Sequence, residues 1–189
     1  MNPPVAIIGN RAEPAADTSD PPRDPEGRGP SPRAQRLADR LERGAAALFT
    51  FASTLSAAEW RLLVPKDGRS VGVIVHHVAT VYPLDIQLAL AVAGGQSITC
   101  VTWDVIHGLN AAHAREQAGV AKEATLTLLR DNSNAAHRAI RALTDEQLDR
   151  SAVVSLYSDS PLTCQFMLEY HAVRHSVHHL VAIRAVLGR

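Results

Sequence analysis

A chain of 189 residues in which 19 basic and 19 acidic side chains cancel is one ordinary domain with room for a real core, and it has no global field to favour nucleic acid or an anionic membrane. Aromatic residues at 4% argue against base-stacking platforms. Two cysteines, Cys100 and Cys164, without any CxxC exclude a disulfide framework and set the expectation of a reducing cytoplasm.

Residues 1–32 hold eight of the eleven prolines, mixed with Asp, Arg, Gly and Ser as in Asp20-Pro21-Pro22-Arg23-Asp24-Pro25. Such a segment buries too little apolar surface to offset the entropy of ordering it. It is predicted to be a disordered tail, with the folded domain at 33–189. Val5 to Ile8 is too short and lacks the basic flank of a signal peptide.

From Ala34 to Leu55 the pattern turns helical, with Leu37, Leu41, Ala45, Leu48 and Phe49 on one side and arginines on the other. Ser56-Ala57-Ala58-Glu59 reads as a capping box that opens a short turn carrying Trp60 and Leu63, which Pro65 stops. Asp67-Gly68 turns the chain, and Ser70 caps the next helix.

That helix, from Val71, carries adjacent histidines which helical phase separates. His77 aligns with Val81, Leu84 and Leu88, whereas His76 aligns with Thr80, Pro83 and Gln87. His77 is therefore the inward residue and His76 a surface or rim one. Pro83 removes a backbone donor, so a kink or restart is expected there. The run Val71 to Ala93 carries two histidines, a proline and an aspartate, which argues against the roughly 20 apolar residues of a membrane span.

Gly94-Gly95-Gln96-Ser97 ends the helix, and Thr102 caps another over Trp103 to Ala118. His107, Asn110 and His113 on it can face a pocket, although surface histidines on helices are commonplace. A further helix is expected from Ala121 to Ala142, with Ala124, Leu128, Ala135, Ile140 and Leu143 as its apolar set. Thr144-Asp145-Glu146-Gln147 starts a short turn ending near Arg150. Ala152 to Leu156 has extended character but no partner strand, and reads as a loop. Ser160-Pro161 gives an N-cap and an N1 proline, predicting a last helix to Leu187 of roughly 40 Å at 1.5 Å per residue.

Four of the nine histidines, His171, His175, His178 and His179, fall on that last helix. His175 and His179 are four apart, one turn above each other on one face, the spacing with which two imidazoles grip one metal ion. On a helical wheel Phe166, Tyr170, Val173, Val177 and Leu180 form one apolar stripe. Cys164, Leu168, His171, His175, His179, Ala182 and Val186 form a second. A lone histidine there would read as a satisfied core residue; an i, i+4 pair flanked by two more favours metal. Cys164 is roughly 16 Å from His175 along the axis, too far to be a fourth ligand.

Ser70-Val71-Gly72-Val73-Ile74-Val75-His76-His77-Val78-Ala79, paired with His175-Ser176-Val177-His178-His179, resembles the DinB/YfiT-like superfamily of metalloproteins. Leu109-Asn110-Ala111 and Ala142-Leu143-Thr144-Asp145-Glu146-Gln147-Leu148-Asp149 agree in order, and the resemblance covers Arg33 to Arg189. It implies an all-α four-helix bundle with short extra helical turns. It also implies a divalent metal, zinc, nickel or iron, held by His77, His175 and His179. Leu180-Val181-Ala182 stands where many members have Arg-Gly-Gln, so the substrate side does not carry over. The implied function is a metal-dependent enzyme that transfers a low-molecular-weight thiol to an electrophilic small molecule. The alternative is a non-catalytic metal-binding or structural bundle. A homodimer is expected in either case, through the second apolar face of the last helix.

Overall fold

Hydroxyl side chains open most of the helices, because an oxygen just ahead of the first turn satisfies N–H groups that have no partner inside it. The computed structural model describes residues 31–99 and 101–189. Ser31 accepts from the backbone of Arg33 and Ala34, and Pro32 fits the first turn of α1 (Pro32–Ser53). Ser56 and Glu59 form the expected capping box of α2 (Ala57–Arg61). Ser70 caps α3 (Val71–Ala93) and Thr102 caps α4 (Trp103–Glu116). Helix α5 (Lys122–Arg141) starts without a side-chain cap, while Thr144 and Gln147 box the start of α6 (Asp145–Asp149). The tail expected over 1–32 lies outside the described residues, apart from Ser31 and Pro32 at the head of α1; Cys100 lies outside them too.

Helices α1, α3, α5 and a C-terminal rod form an all-α four-helix bundle. The rod is α7 (Cys164–Met167), a π-helical turn (Leu168–Val173) and α8 (Arg174–Leu187), running on with helical backbone angles at both junctions. α1 and α3 each pack against both α5 and the rod. α1 runs parallel to the rod, with Arg40 on Glu169 at 2.6 Å and Arg184 over the Phe51 ring further along. It runs antiparallel to α5: Lys122 caps the Ser53 and Leu55 carbonyls at one end, and His137 lies beside Asp39 at the other. α3 and α5 run parallel. Trp60, packed on Gly72 at the foot of α3, donates to the Val120 carbonyl at 3.0 Å, and further along Asn132 donates to that of Ala79 at 2.9 Å. Between two parallel helices the chain must travel back the length of the bundle, and α4 is that return. It buries no residue.

Leu41, Leu48, Ile74, Leu129, Ile140 and Ile183 fill the core, fully buried, each stabilising the fold by about 1.5–3 kcal/mol relative to exposure. α3 is buried on nearly every side. By length and its mean hydropathy of 1.3 it would suffice to cross a membrane, despite the polar residues that argue otherwise in sequence; its apolar character matches a helix enclosed by neighbours. Pro83 is exposed, and α3 neither ends nor restarts at it.

Ser160-Pro161 does not start the last helix. Ser151–Val154 (β1) pairs antiparallel with Ser160–Thr163 (β2), Ser151 opposite Thr163 and Val154 opposite Ser160, so the extended segment has a partner after all. Ser155–Tyr157 forms a 3-10 turn, and Ser158 and Asp159, both at φ 56°, close the hairpin. The rod starts at Cys164, where Thr163 accepts from the Phe166 N–H at 3.1 Å. In α5 the buried residues are Thr125, Leu129, Ser133, Ala136 and Ile140, one position away from the expected Ala124, Leu128 and Ala135. Thr125 and Ser133 tolerate the inner face because their hydroxyls donate to the carbonyls of Ala121 and Arg130. Along the rod Cys164, Leu168, Ala172 and Ser176 are buried at steps of four, the period of a helix wound more loosely than 3.6. Tyr170 and Val177, expected in an apolar stripe, are exposed as a result.

Candidate metal centre

The Ser70 cap fixes the phase of α3, which turns His77 into the bundle at 6% exposure and leaves His76 half-buried at the rim. Opposite it, the π-helical turn delivers His175 and His179 on the first two turns of α8. The nearest ring nitrogens of the three histidines all lie within 4.8 Å of one another, and the Nε2 atoms of His77 and His175 are 3.2 Å apart. Two nitrogens bound tetrahedrally at about 2.0–2.1 Å from one ion stand about 3.3–3.4 Å apart. An N–H···N bond would account for the one pair, but not for a third imidazole at the same point. His77, His175 and His179 are thus brought together as the sequence predicts.

Electrostatics favour the form a metal needs. Burial, and then the charges of His175, Arg69, His179 and His113, push His77 down to about 2. Burial, then His179, His171, His178 and Arg69, lowers His175 to about 3. Burial, then Arg69 and His178, opposed by Asp67, lowers His179 to about 4. All three imidazoles are neutral at pH 7, with lone pairs available.

The surroundings add His113, expected as a pocket-facing residue of α4, and side chains without a role assigned from sequence. His113 of α4 lies 2.9 Å from the His76 Nδ1 through its Nε2, and its ring stands edge-on to His77 at 5.7 Å. His171, one turn before His175, is hydrogen-bonded to the Tyr157 hydroxyl at 2.9 Å. Tyr157 also meets Trp103, Phe166 and Tyr170 edge to face, so half-exposed aromatic rings from α4, the hairpin and the rod cluster beside the histidines. Tyr157 carried no sequence signal because the hairpin that places it was missed. Arg69 carried a weak one, as a cation two residues from Asp67 and next to the cap of the ligand helix. His178 is exposed. Cys164 is fully buried, and burial pushes its thiol up to about 11, which makes it a packed, unreactive group.

Two other features draw no role. Asp39, Glu42 and His137 also gather within 4.8 Å, but the two carboxylates are well exposed and Asp39 is shared with Arg141 at 4.0 Å, the pattern of a surface ion-pair network. A cleft of about 510 Å³ lined by Trp60, Arg61, Ser70, Val120 and Lys122 includes none of the three histidines.

A family model described as the DinB superfamily matches residues 40–183. The chain belongs to the DinB superfamily. Among solved structures, this DinB-superfamily chain is similar to YfiT from Bacillus subtilis, described as a probable metal-dependent hydrolase with an unusual four-helix bundle topology. The TM-score is 0.65 at 16% identity, over 87% of this chain and 93% of that one. At that identity the likeness is one of fold. No curated protein matches this DinB-superfamily sequence.

Proposed function

We propose that this DinB-superfamily protein binds one divalent ion, zinc, nickel or ferrous iron, through His77, His175 and His179, and transfers a low-molecular-weight thiol to an electrophilic small molecule. The observation that carries this reading is the convergence on one point of three neutral imidazoles, His77 and His179 buried and His175 half-buried. Three nitrogen ligands leave a coordination position open and suit these metals. A divalent cation held there supplies Lewis acidity, which lowers the pKa of a thiol brought to it.

The chain's own residues do the rest. Burial keeps the imidazoles unprotonated, and the rod and α3, rigid core elements, hold them in place. Trp103, Tyr157 and Tyr170 offer an apolar wall for the acceptor. In the reaction the sulfur forms a bond to the electrophilic carbon, the leaving group departs with its electron pair, and the thiol proton passes to solvent. Cys164, buried and protonated, takes no part. A reducing cytoplasm, where such thiols persist, is the proposed setting, and a homodimer is the proposed assembly; the histidine-bearing stripe expected to carry it is buried or half-buried, which leaves the exposed Val177 and Val181 side of the rod as the proposed face.

Hydrolysis is the second reading, favoured by the fold shared with YfiT. One assay separates the two. The metal-loaded protein is given 1-chloro-2,4-dinitrobenzene and an ester panel, with and without a panel of thiols. Thiol-dependent release of chloride that disappears in His77→Ala supports transfer. Thiol-independent ester cleavage supports hydrolysis, and bound metal without turnover of either kind supports a binding module.

A further inference from the structure

Of the chain's two Trp, three Tyr and three Phe residues, Trp103, Tyr157, Phe166 and Tyr170 come together at one place. Tyr157 is the hub: its ring meets Trp103 at 6.3 Å, Phe166 at 5.6 Å and Tyr170 at 6.1 Å, each edge to face. None of the four is buried, and Trp103 and Tyr170 are 49% and 45% exposed. Large rings left open side by side forgo much of the burial that stabilises a fold, and a contiguous apolar patch marks a binding site where scattered exposure does not.

Contacts tie this cluster to the histidine centre. The Tyr157 hydroxyl and Nε2 of His171 are hydrogen-bonded at 2.9 Å, and the His171 ring packs edge-on to Tyr170 at 5.4 Å. His171 stands one helical turn before His175, about 5–6 Å away between Cβ atoms. On the other side Trp103 shares α4 with His113, whose ring lies 5.7 Å from that of His77. The π-helical turn over Leu168–Val173 carries both Tyr170 and His171, so one widening of the rod sets the tyrosine outward and the imidazole half-buried beside the ligands.

Area and ring electronics select the occupant. Half-exposure of Trp103 and Tyr170 leaves on the order of 200 Å² of aromatic surface, well short of the roughly 800 Å² per partner of a stable protein interface but enough to cover a face of one small ring. Aromatic faces are negative, and Arg174 already lies 5.1 Å over Tyr170, so the uncovered part of Trp103 favours a ring depleted of electrons. We propose that Trp103, Tyr157 and Tyr170 form the acceptor subsite of the histidine centre and select flat, electron-poor aromatic electrophiles. This rests on the thiol reading given above and narrows its second substrate.

The test measures binding of 1,3-dinitrobenzene, flat and electron-poor but without a leaving group, and of nitrocyclohexane to full-length protein by equilibrium dialysis. Stacking supports a preference of about three- to tenfold for the aromatic probe. Trp103→Leu, which keeps an apolar side chain at a half-exposed position, should abolish that preference, and Trp103→Phe should retain part of it. Equal binding of the two probes, or a preference that survives Trp103→Leu, overturns the subsite and leaves the thiol reading standing if the zinc-loaded protein still releases chloride from 1-chloro-2,4-dinitrobenzene in a thiol-dependent way. A Trp103-dependent preference without any thiol-dependent chloride release overturns the thiol reading, and the acceptor assignment with it.

Discussion

Gathering three imidazoles at one largely enclosed point has a consequence for stability in the metal-free protein. Above about pH 6.5 they are neutral both in the fold and in the unfolded chain, so they add no pH dependence. Below it the unfolded chain takes up protons that the folded centre refuses until about 4, 3 and 2 for His179, His175 and His77. The stability is therefore complete above pH 6.5 and lost as pH falls towards those values, by about 1.4 kcal/mol per imidazole per unit. Urea midpoints of chelator-treated protein should fall from pH 6 to 5 and stay level from 7 to 8. His175→Gln should flatten the slope by one group's share; a flat profile would mean the rings are not buried. A second residue-scale prediction concerns Gly72, where an added Cβ would meet the indole of Trp60. That ring is pinned by its hydrogen bond to Val120 and cannot easily yield, so Gly72→Ala should cost about 1–3 kcal/mol. Calorimetry should show a Tm lowered by roughly 2–12 °C.

Elements differ in how firmly they are held. α4 buries no residue and meets the rest through the half-buried Ile106, His113 on His76 and Trp103 on Tyr157 among its contacts, whereas α1, α3 and α5 each bury a continuous stripe. Amides of α4 should exchange hydrogen well before those of α1, α3 and α5, and His113→Ala should speed that exchange without touching the core helices. Equal protection across all four would refute this ordering. The elements also explain which parts of the fold were legible in sequence. Caps at Ser56, Ser70, Thr102 and Thr144 were readable because they depend on local oxygen-to-backbone bonds. The hairpin was not, since β1 finds its partner only beyond a tight turn with two left-handed non-glycine residues, Ser158 and Asp159. The inner face of α5 was misread because Thr125 and Ser133 hide their hydroxyls on their own helix. The rod's stripe was misread because a 3.6-residue wheel cannot anticipate the wider turn over Leu168–Val173.

On the scale of the whole molecule, parallel α3 and α5 force the long return through α4, and that return lays His113 and Trp103 beside the histidines that α3 and the rod bring together. His77, His175 and His179 could be read from phase and spacing alone, because each sits on a regular helix whose inner face the sequence marks. Arg69 and Tyr157 could not, since only the path of the chain sets them there, and His113 showed only as one of three α4 residues able to face a pocket. The central claim is that the three imidazoles hold one ion. Anomalous diffraction from crystals grown with zinc tests it most directly: a single peak at about 2.0–2.1 Å from a ring nitrogen of each of His77, His175 and His179 is the expected result. No peak at that point, or a peak coordinated by a different set of side chains, would contradict it.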